Sequence, residues 1–437
     1  MNFDEYQLQL DESATLVSIV CENFESHRTE EQTLHSLVEL RELLNTLGVE
    51  PGEQFYQNKK SLDPATMLGS GKLEEIAEQA KNTNSKLLVF DFELTASQMR
   101  NIKKITGLEV MDRCMVILEI FARHARTKEA KIQIEISRLN YMLPRLQTLW
   151  THFSKQKGGI GLKGEGEQQL ELDRRIIRNK IAAYKRQLVE MEKTRTEQRK
   201  RRENSVVTAA LVGYTNAGKS TLMNKLCKVN VLSENKLFAT LDSTFRTLNP
   251  DSKPPMVLID TVGFIQNLPS TLVEGFKTTL ESALEADLLI IVCDLSDPQY
   301  KNHLKVTQEV LEELNIKDKD QIIVFTKKDK IADPFLPKIA MRNLHASFLV
   351  SSNNPDEIKE LREFIIQYFL SKQDHFDLFI PYEDGEAQAR VLSNANILNT
   401  SHHENGTFYR IRIPDFIFGQ LSLNKYILAP KESTKYI

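Results

Sequence analysis

The sequence predicts an α/β protein. A smaller α/β domain and a long antiparallel helical hairpin precede a doubly wound domain, and a small α+β domain follows it. Three observations carry this reading. Strand-like apolar runs alternate with helix-period stretches over 15–126 and again over 205–370. Between them, two long segments repeat apolar residues at spacings of four and three. Past 371 the pattern becomes an alternation around a hairpin turn. The expected domains are 1–130, 131–203, 204–371 and 372–437.

In the first domain Leu16-Val17-Ser18-Ile19-Val20 and Leu87-Leu88-Val89-Phe90 read as buried strands of a parallel sheet. Leu34, Leu37, Val38, Leu44 and Leu47 give a helix between them its apolar face. In the hairpin, Ile132, Ile136, Leu139, Leu143, Leu146 and Trp150 form one stripe; Leu170, Ile177, Ile181, Tyr184, Leu188 and Met191 form the other. Pro144 should bend or break the first helix. A continuous helix over Glu167–Glu203 would be about 55 Å long at ~1.5 Å per residue. The connection, Lys155 to Gly166, holds five glycines and three lysines. It reads either as a linker or as a tip that moulds to a phosphate backbone.

The terminal domain should begin near Leu378, after the polar stretch Ser371 to His375. There Asn405-Gly406 precedes Tyr409, Ile411 and Ile413 on one strand face. His402-His403-Glu404, beside that turn, are assigned no metal.

The chain has 437 residues, 41% hydrophobic and 27% charged, enough for several cores. Its apolar runs fall short of the roughly 18 residues that span a bilayer. Asp4, Glu5, Asp11 and Glu12 make the start too acidic for a targeting peptide. Cys21, Cys114, Cys227 and Cys293 lack CxxC pairing, which fits a reducing cytosolic compartment better than disulfides or zinc. The net charge of −3 hides an asymmetry: Arg174 to Arg202 carries twelve Lys or Arg against three Glu, a local +9, leaving −12 elsewhere. A basic rod on an acidic body points to a polyanionic partner; a solvated helix face is the plainer reading.

Leu211-Val212 leads into Gly213-Tyr214-Thr215-Asn216-Ala217-Gly218-Lys219-Ser220-Thr221, a strand, GxxxxGK[ST] and a helix. The glycines let backbone N–H groups face a β-phosphate at a helix N-terminus. Lys219 should reach the β- and γ-phosphate oxygens, and the Ser220 hydroxyl should ligate Mg²⁺. A second stretch, Gly69-Ser70-Gly71-Lys72, has Thr66 and Leu73 at the outer positions and reads as a turn before a helix.

Downstream, the strand Val257-Leu258-Ile259 ends in Asp260-Thr261-Val262-Gly263, a DxxG in which Asp260 can hold the magnesium shell through water and the Gly263 N–H can meet the γ-phosphate. The strand Ile322 to Phe325 ends in Thr326-Lys327-Lys328-Asp329. This resembles the guanine reader NKxD, whose aspartate accepts from both N–H groups on the guanine edge and so discriminates against adenine. Thr326 replaces an Asn that would brace the P-loop, so a weaker brace is expected. Val350-Ser351-Ser352 occupy the place of the last base-contacting loop. The order of elements predicts a P-loop GTPase domain binding GTP and GDP.

Five stretches give a family resemblance: Gly69 to Glu75, Phe121 to Thr127, Gly158-Gly159-Ile160-Gly161 with Asp173-Arg174-Arg175, Phe238-Ala239-Thr240-Leu241-Asp242, and Ile380 to Gly385. On these the sequence resembles HflX, ribosome-associated GTPases of the Obg-HflX superfamily in the TRAFAC class. The resemblance implies the same four-part architecture and binding to the large ribosomal subunit and its rRNA, in splitting, rescue or recycling under stress. Large-subunit assembly, or an RNA-binding switch not tied to the ribosome, is the alternative. It also implies that Phe238 to Asp242 form the first switch, with Thr240 closing on Mg²⁺ and the γ-phosphate. Two departures stand out: Gly164-Glu165-Gly166-Glu167 replaces the common GPGE, and Leu241-Asp242-Ser243-Thr244-Phe245-Arg246 replaces LDPTTR.

Many GTPases place a Gln after DxxG to orient the attacking water. Phe264 stands there, so intrinsic hydrolysis should be slow and need stimulation. The expected catalytic set is Lys219, Thr240 and Asn216, the last because this P-loop variant helps hold K⁺ in related GTPases. A monomer in the cytoplasm, also found peripherally at membranes, completes the expectation.

Overall fold

A computed structural model describes residues 13–21, 29–146, 163–202, 206–227, 237–238, 244–249, 252–266, 286–314, 316, 319–342, 344 and 347–428, without the side chains of 163–170, 195–202 and 416. The chain divides into two compact units. The first is Met1–Met191 with Glu234–Asp242 and Ile265–Thr279; the second is Glu192–Ser233 with Ser243–Phe264 and Leu280–Ile437.

The first unit contains four parallel strands, β1 (Ser13–Cys21), β2 (Glu50–Lys59), β3 (Leu87–Phe90) and β4 (Glu109–Asp112), in the order β2-β1-β3-β4. β1 pairs Val17 with Phe55 on one side and Phe90 on the other. Helices cover the sheet, so β1 and β3 are buried nearly throughout rather than on alternate residues, with Thr15 and Ser18 the polar side chains inside β1. Beside Val17, Ile19, Leu88 and Phe90 lie Leu73, Ile76 and Ala80 of α2 (Ser70–Asn82) and Ile102 of α3 (Ala96–Thr106). Gly69, from the P-loop-like stretch, is the N-cap of α2.

Helix α1 (Glu30–Leu47) starts at a capping box, Gln32 N donating to Thr29 Oγ1 at 3.2 Å and Thr29 N to Gln32 Oε1 at 3.0 Å. Its buried face is Leu37, Leu40, Leu43, Leu44 and Leu47. Leu34 and Val38, expected on that face, are 44% and 53% exposed. At ~3.6 residues per turn they fall on the side away from the arc centred between Leu40 and Leu44.

Helix α4 (Arg113–His124) is capped by Asp112, whose Oδ1 accepts from Met115 N at 2.9 Å. Burial pushes the Asp112 carboxyl up from its ordinary value, against its N–H donors and Arg145. Arg113, 2% exposed, donates to Asp91 at 2.9 Å and Glu39 at 2.6 Å. A buried guanidinium is tolerable only when paired in this way.

Helix α5 (Lys128–Met142) ends in a 3₁₀ turn at Leu143–Arg145, the break expected at Pro144. Helix α6 spans Lys163–Arg202, about 60 Å at ~1.5 Å per residue. It starts four residues before the expected Glu167, so Gly164 and Gly166 lie in helix rather than in the connection. Ile132, Ile136, Leu139 and Leu146 pack with Ile177 and Ile181, flanked by Leu143, Tyr184, Leu188 and Met191. Lys180 donates to Glu135 across this seam at 3.0 Å. Trp150 and residues 155–162 lie outside the described residues.

In the second unit β5 (Val207–Gly213), β6 (Thr244–Asn249), β7 (Met256–Asp260), β8 (Leu288–Asp294), β9 (Gln321–Thr326) and β10 (Ser347–Leu349) form a sheet in the order β10-β9-β8-β5-β7-β6. All pairings are parallel except β6 with β7. Among the described residues, the helices that accompany this sheet are α7 (Lys219–Leu226), α8 (Tyr300–Glu313), α9 (Leu336–Met341) and α10 (Pro355–Ser371). Leu211, Leu258, Ile290 and Val324 join Leu222, Leu226, Leu361 and Ile365 in one core.

The terminal sheet is antiparallel, β11 (Asp374–Pro381), β13 (Gly406–Ile413) and β12 (Asn396–His403) in that order, with α11 (Gly385–Asn394) and α12 (Asp415–Gln420). The hairpin turns at Glu404-Asn405, and Tyr409, Ile411 and Ile413 are buried as expected. β11 begins at Asp374, so part of the expected polar linker is strand, where Asp377 pairs with Arg410 through two 2.8 Å bonds. His402 and His403 lie in β12 and meet Thr407 and Ser401 at 3.2 and 3.0 Å.

Candidate functional site

The site is assembled at the carboxyl ends of β5, β7, β8 and β9, where open parallel sheets place their ligands. β5 ends at Gly213, with φ 149°; a Cβ there would stand 2.1 Å from the Val292 carbonyl of β8. Only glycine lets the loop leave so close to the neighbouring strand. The loop closes on Gly218, N-cap of α7, which caps the helix with no side chain and leaves its positive end turned to the loop.

Lys219 is 6% exposed, and its Nζ donates to the carbonyls of Gly213 (3.0 Å) and Tyr214 (2.8 Å). Burial pushes its amine down to about 8, while the nearby Asp260 charge pulls it up. Ser220 Oγ donates to Asp260 Oδ2 at 2.6 Å. Asp260, the last residue of β7, is 1% exposed. The hydroxyl and carboxylate together are the hard oxygen donors that suit Mg²⁺.

Beyond Asp260, Thr261 donates its hydroxyl to the Leu211 carbonyl at 2.7 Å and Val262 is buried. The chain then runs beside the P-loop: Phe264 N donates to Gly213 O at 3.0 Å, and Thr215 N to Phe264 O at 2.7 Å. A Cβ on Gly263 would lie 2.7 Å from Thr215 Cα and 2.9 Å from Lys219 Nζ. The DxxG glycine therefore stands directly over the P-loop lysine.

At the other end of the site, Thr326 reaches the P-loop despite its short side chain. Its Oγ1 donates to the Ala217 carbonyl at 2.7 Å and approaches the Cys293 carbonyl at 3.3 Å. Lys327 has left-handed backbone, φ 55°, and its Nζ pairs with Asp294 at 2.7 Å. Asp329 accepts from Ser351 Oγ at 2.6 Å and from Asn353 Nδ2 at 3.5 Å. The Ser351 bond holds its carboxyl below the usual range, keeping it an acceptor. Lys328 and Ser351 N both meet Glu357, at 2.5 and 2.7 Å. Val350 N donates to Phe325 O at 2.8 Å, and Ser352 follows in the turn.

Gly213 to Thr221, Asp260 to Gly263, Thr326 to Asp329 and Val350 to Ser352 thus share one unit. Asn216 is exposed on the P-loop with φ 59°. Phe238 belongs to the other unit, its ring edge-on to Phe121 at 4.7 Å. Ala239, Thr240, Leu241 and Asp242 lie outside the described residues. Sequence reasoning missed four side chains that support the site: Asp294, Asn353, Glu357 and His303, whose ring stacks on Tyr214. Only Asp294, an acid closing an apolar strand, carried a visible signal.

Fold and site together define a P-loop GTPase. Family models match 34–122 (GTP-binding GTPase N-terminal), 124–202 (GTP-binding GTPase Middle Region) and 208–327 (50S ribosome-binding GTPase). GTPase HflX of Lacrimispora saccharolytica is 37% identical over 95% of this chain and 97% of that relative; GTPase HflX of Escherichia coli is 36% identical over 94% and 95%. A GTP-binding protein from Sulfolobus solfataricus, solved with GDP, aligns at 24% identity over 82% of this chain and 98% of that chain, TM-score 0.44. The chain belongs to the HflX family of GTPases. It binds and hydrolyses GTP, and GTPases of this fold use Mg²⁺ with the nucleotide. Among the described residues, no helix is long and apolar enough to cross a membrane.

Proposed function

We propose that this GTPase is a nucleotide-gated factor of the large ribosomal subunit, acting in splitting, rescue or recycling under stress. The observation that carries the reading is the +9 run from Arg174 to Arg202, which lies on α6, joined in one chain to a GTPase domain. Lysine and arginine arrayed along a helix neutralise backbone phosphates without reading sequence. The match of 208–327 to the 50S ribosome-binding GTPase family supports the same partner.

In this reading Lys219 and the P-loop N–H groups hold the β- and γ-phosphates, and Ser220 and Thr240 hold Mg²⁺ with Asp260 behind them. Asp329 reads guanine, with Thr326, Lys327 and Lys328 positioning its loop and Val350 to Ser352 closing it. Thr261, Val262 and Gly263 carry the second switch, and Phe238 to Asp242 the first. Asn216 helps hold K⁺ beside the phosphates, where a cation offsets charge that builds during transfer. Hydrolysis is slow without the ribosome, because Phe264 cannot orient water. The protein acts as a cytoplasmic monomer, also peripheral at membranes, with domains 1–130, 131–203, 204–371 and 372–437; the family matches at 34–122, 124–202 and 208–327 fall within or close to the first three of these.

The test is cosedimentation with 30S, 50S and 70S particles in GDP or a non-hydrolysable GTP analogue. We expect analogue-dependent binding to particles containing 50S, weakened and made less salt-sensitive when Lys155, Lys157 and Lys163 are replaced by Ala, with GTP affinity intact. Binding to RNA but to no ribosomal particle would favour the switch not tied to the ribosome. Enrichment on immature 50S alone would favour assembly. Ribosome binding untouched by the triple replacement would make the hairpin scaffolding.

A further inference from the structure

The hydroxyls of the nucleotide site differ in what they do. Ser220 donates to Asp260, Thr261 to the Leu211 carbonyl and Thr326 to the Ala217 carbonyl, all within 2.7 Å. Thr215 is also buried, 6% exposed, yet its Oγ1 has no hydrogen-bond partner among the described residues. Buried hydroxyls are nearly always paired, because leaving one unmade forfeits its hydration with no return. An orphan of this kind in a reaction site is poised for a partner that arrives with the substrate.

The surroundings of Thr215 indicate which partner. A side chain built on Gly263 would stand 2.7 Å from Thr215 Cα, 2.8 Å from its Cγ2 and 2.9 Å from Lys219 Nζ. Thr215 therefore lies against the DxxG glycine and close to the P-loop amine, two groups that address the terminal phosphate in this class of enzyme. Its own N–H donates to the carbonyl of Phe264 at 2.7 Å. Phe264 holds the position from which other GTPases extend a glutamine to the attacking water, and its ring has no hydrogen-bonding group to offer. The residue that carries the orphan hydroxyl is thus joined through its backbone to the one standing where a water-orienting side chain would be.

We propose that Thr215 is a catalytic residue whose hydroxyl contacts and aligns the attacking water. The water oxygen forms the new bond to the γ-phosphorus as the bond to the β–γ bridging oxygen breaks. That electron pair leaves with GDP, and the water proton passes to a phosphate oxygen. The threonine keeps its own proton throughout and acts by orientation, as a glutamine does elsewhere. A hydroxyl provided by the P-loop itself is fixed at the site whatever the second switch is doing.

Thr215→Val keeps the branched shape and deletes only the hydroxyl; Thr215→Ala removes the branch as well, and Thr215→Ser returns the hydroxyl without the methyl. The measurements are single-turnover GTP hydrolysis by the full chain and fluorescence titration of GDP and a non-hydrolysable GTP analogue. We expect Val and Ala variants to hydrolyse GTP ~10-fold more slowly with nucleotide affinity retained, and Ser to be several-fold faster than Val. If Val hydrolyses GTP at the unmodified rate, the hydroxyl does not contact the reacting water. If Ser and Val are equally slow, or if affinity falls in step with rate, Thr215 packs the loop and the proposal is overturned. Should Val fail to fold, the Ala and Ser pair decides between the same outcomes.

Discussion

The phenol of Tyr214 lies flat on the imidazole of His303, ring centroids 3.9 Å apart and planes 11° from parallel. The Tyr214 carbonyl accepts from Lys219 Nζ at 2.8 Å. A residue on α8 is thereby linked, through one ring and one peptide, to the amine that meets phosphate. Replacing His303 with Ala removes a stack worth about 1 kcal/mol, and GDP affinity should fall about 5-fold. His303→Phe should recover most of it, since a second ring restores the contact. Fluorescent-GDP titration checks both; equal affinity in His303→Ala would mean that the stack does not support the loop.

Base choice should rest on Asp329. Its carboxylate is kept ionised by Ser351, whose hydroxyl it accepts at 2.6 Å. Asp329→Asn replaces one acceptor by a donor, which mismatches guanine and matches the xanthine oxygen. GTP affinity should drop by ~100-fold or more while xanthosine triphosphate gains. Competition titrations of both nucleotides on both proteins report this, and an unaltered GTP affinity would remove Asp329 from the base site.

The Lys219 amine sets a pH dependence whose direction follows from its burial. With its ionisation pushed down to about 8 from 10.5, the free protein holds an increasing share of neutral amine above pH 8. Phosphate favours the ammonium, so binding takes up a proton there, and affinity should decline as pH rises past 8. Below about pH 7 this group contributes no slope. The unliganded protein behaves oppositely: the folded state disfavours the charged amine, so stability is regained as pH climbs from about 8 toward 10.5. Calorimetric titration of GDP at pH 8.5 in two buffers of different ionisation heat measures the proton uptake directly. Heats independent of buffer would mean the amine is already charged in the free protein.

Monovalent cations offer a further check, on Asn216. The residue is exposed at the rim of the P-loop, free of the packing that fixes its neighbour Ala217. Turnover in KCl should exceed that in NaCl at equal ionic strength, by about 10-fold if the cation offsets transition-state charge as an arginine finger does. Asn216→Ala should erase the difference. Equal rates in the two salts would leave Asn216 as a loop brace alone.

The P-loop was legible because phosphate recognition demands glycine, lysine and hydroxyl within a few consecutive residues. Asp260 was legible because it ends an apolar strand, and Asp329 because it follows one within three residues. What escaped was tertiary. The partner of Thr326 is 109 residues away, and Glu357 and His303 lie on helices whose own periodicity explains them without any reference to the site. β2 was invisible because, at the sheet edge, Glu50–Lys59 is mostly polar and has no fully buried residue. β4 is four residues long, too short for any period to register. Leu34 and Val38 misled for the converse reason: composition made them core, while the angular position of each on α1 turned them outward.

The bond from Thr326 to Ala217 has a kinetic meaning. It makes the strand that leads to the base-reading loop and the loop that wraps the phosphates one frame, rather than two arms that open separately. Once either end of a nucleotide docks, the frame presents the other half of the site at high effective concentration, so the second contact forms far faster than a fresh encounter would allow. Departure faces the same arithmetic in reverse. A guanine that lets go while its phosphates are still held is recaptured before it diffuses away, and a half-released GDP has nowhere stable to rest. The residence time of the nucleotide is therefore a property of the joined frame and not of its weaker end.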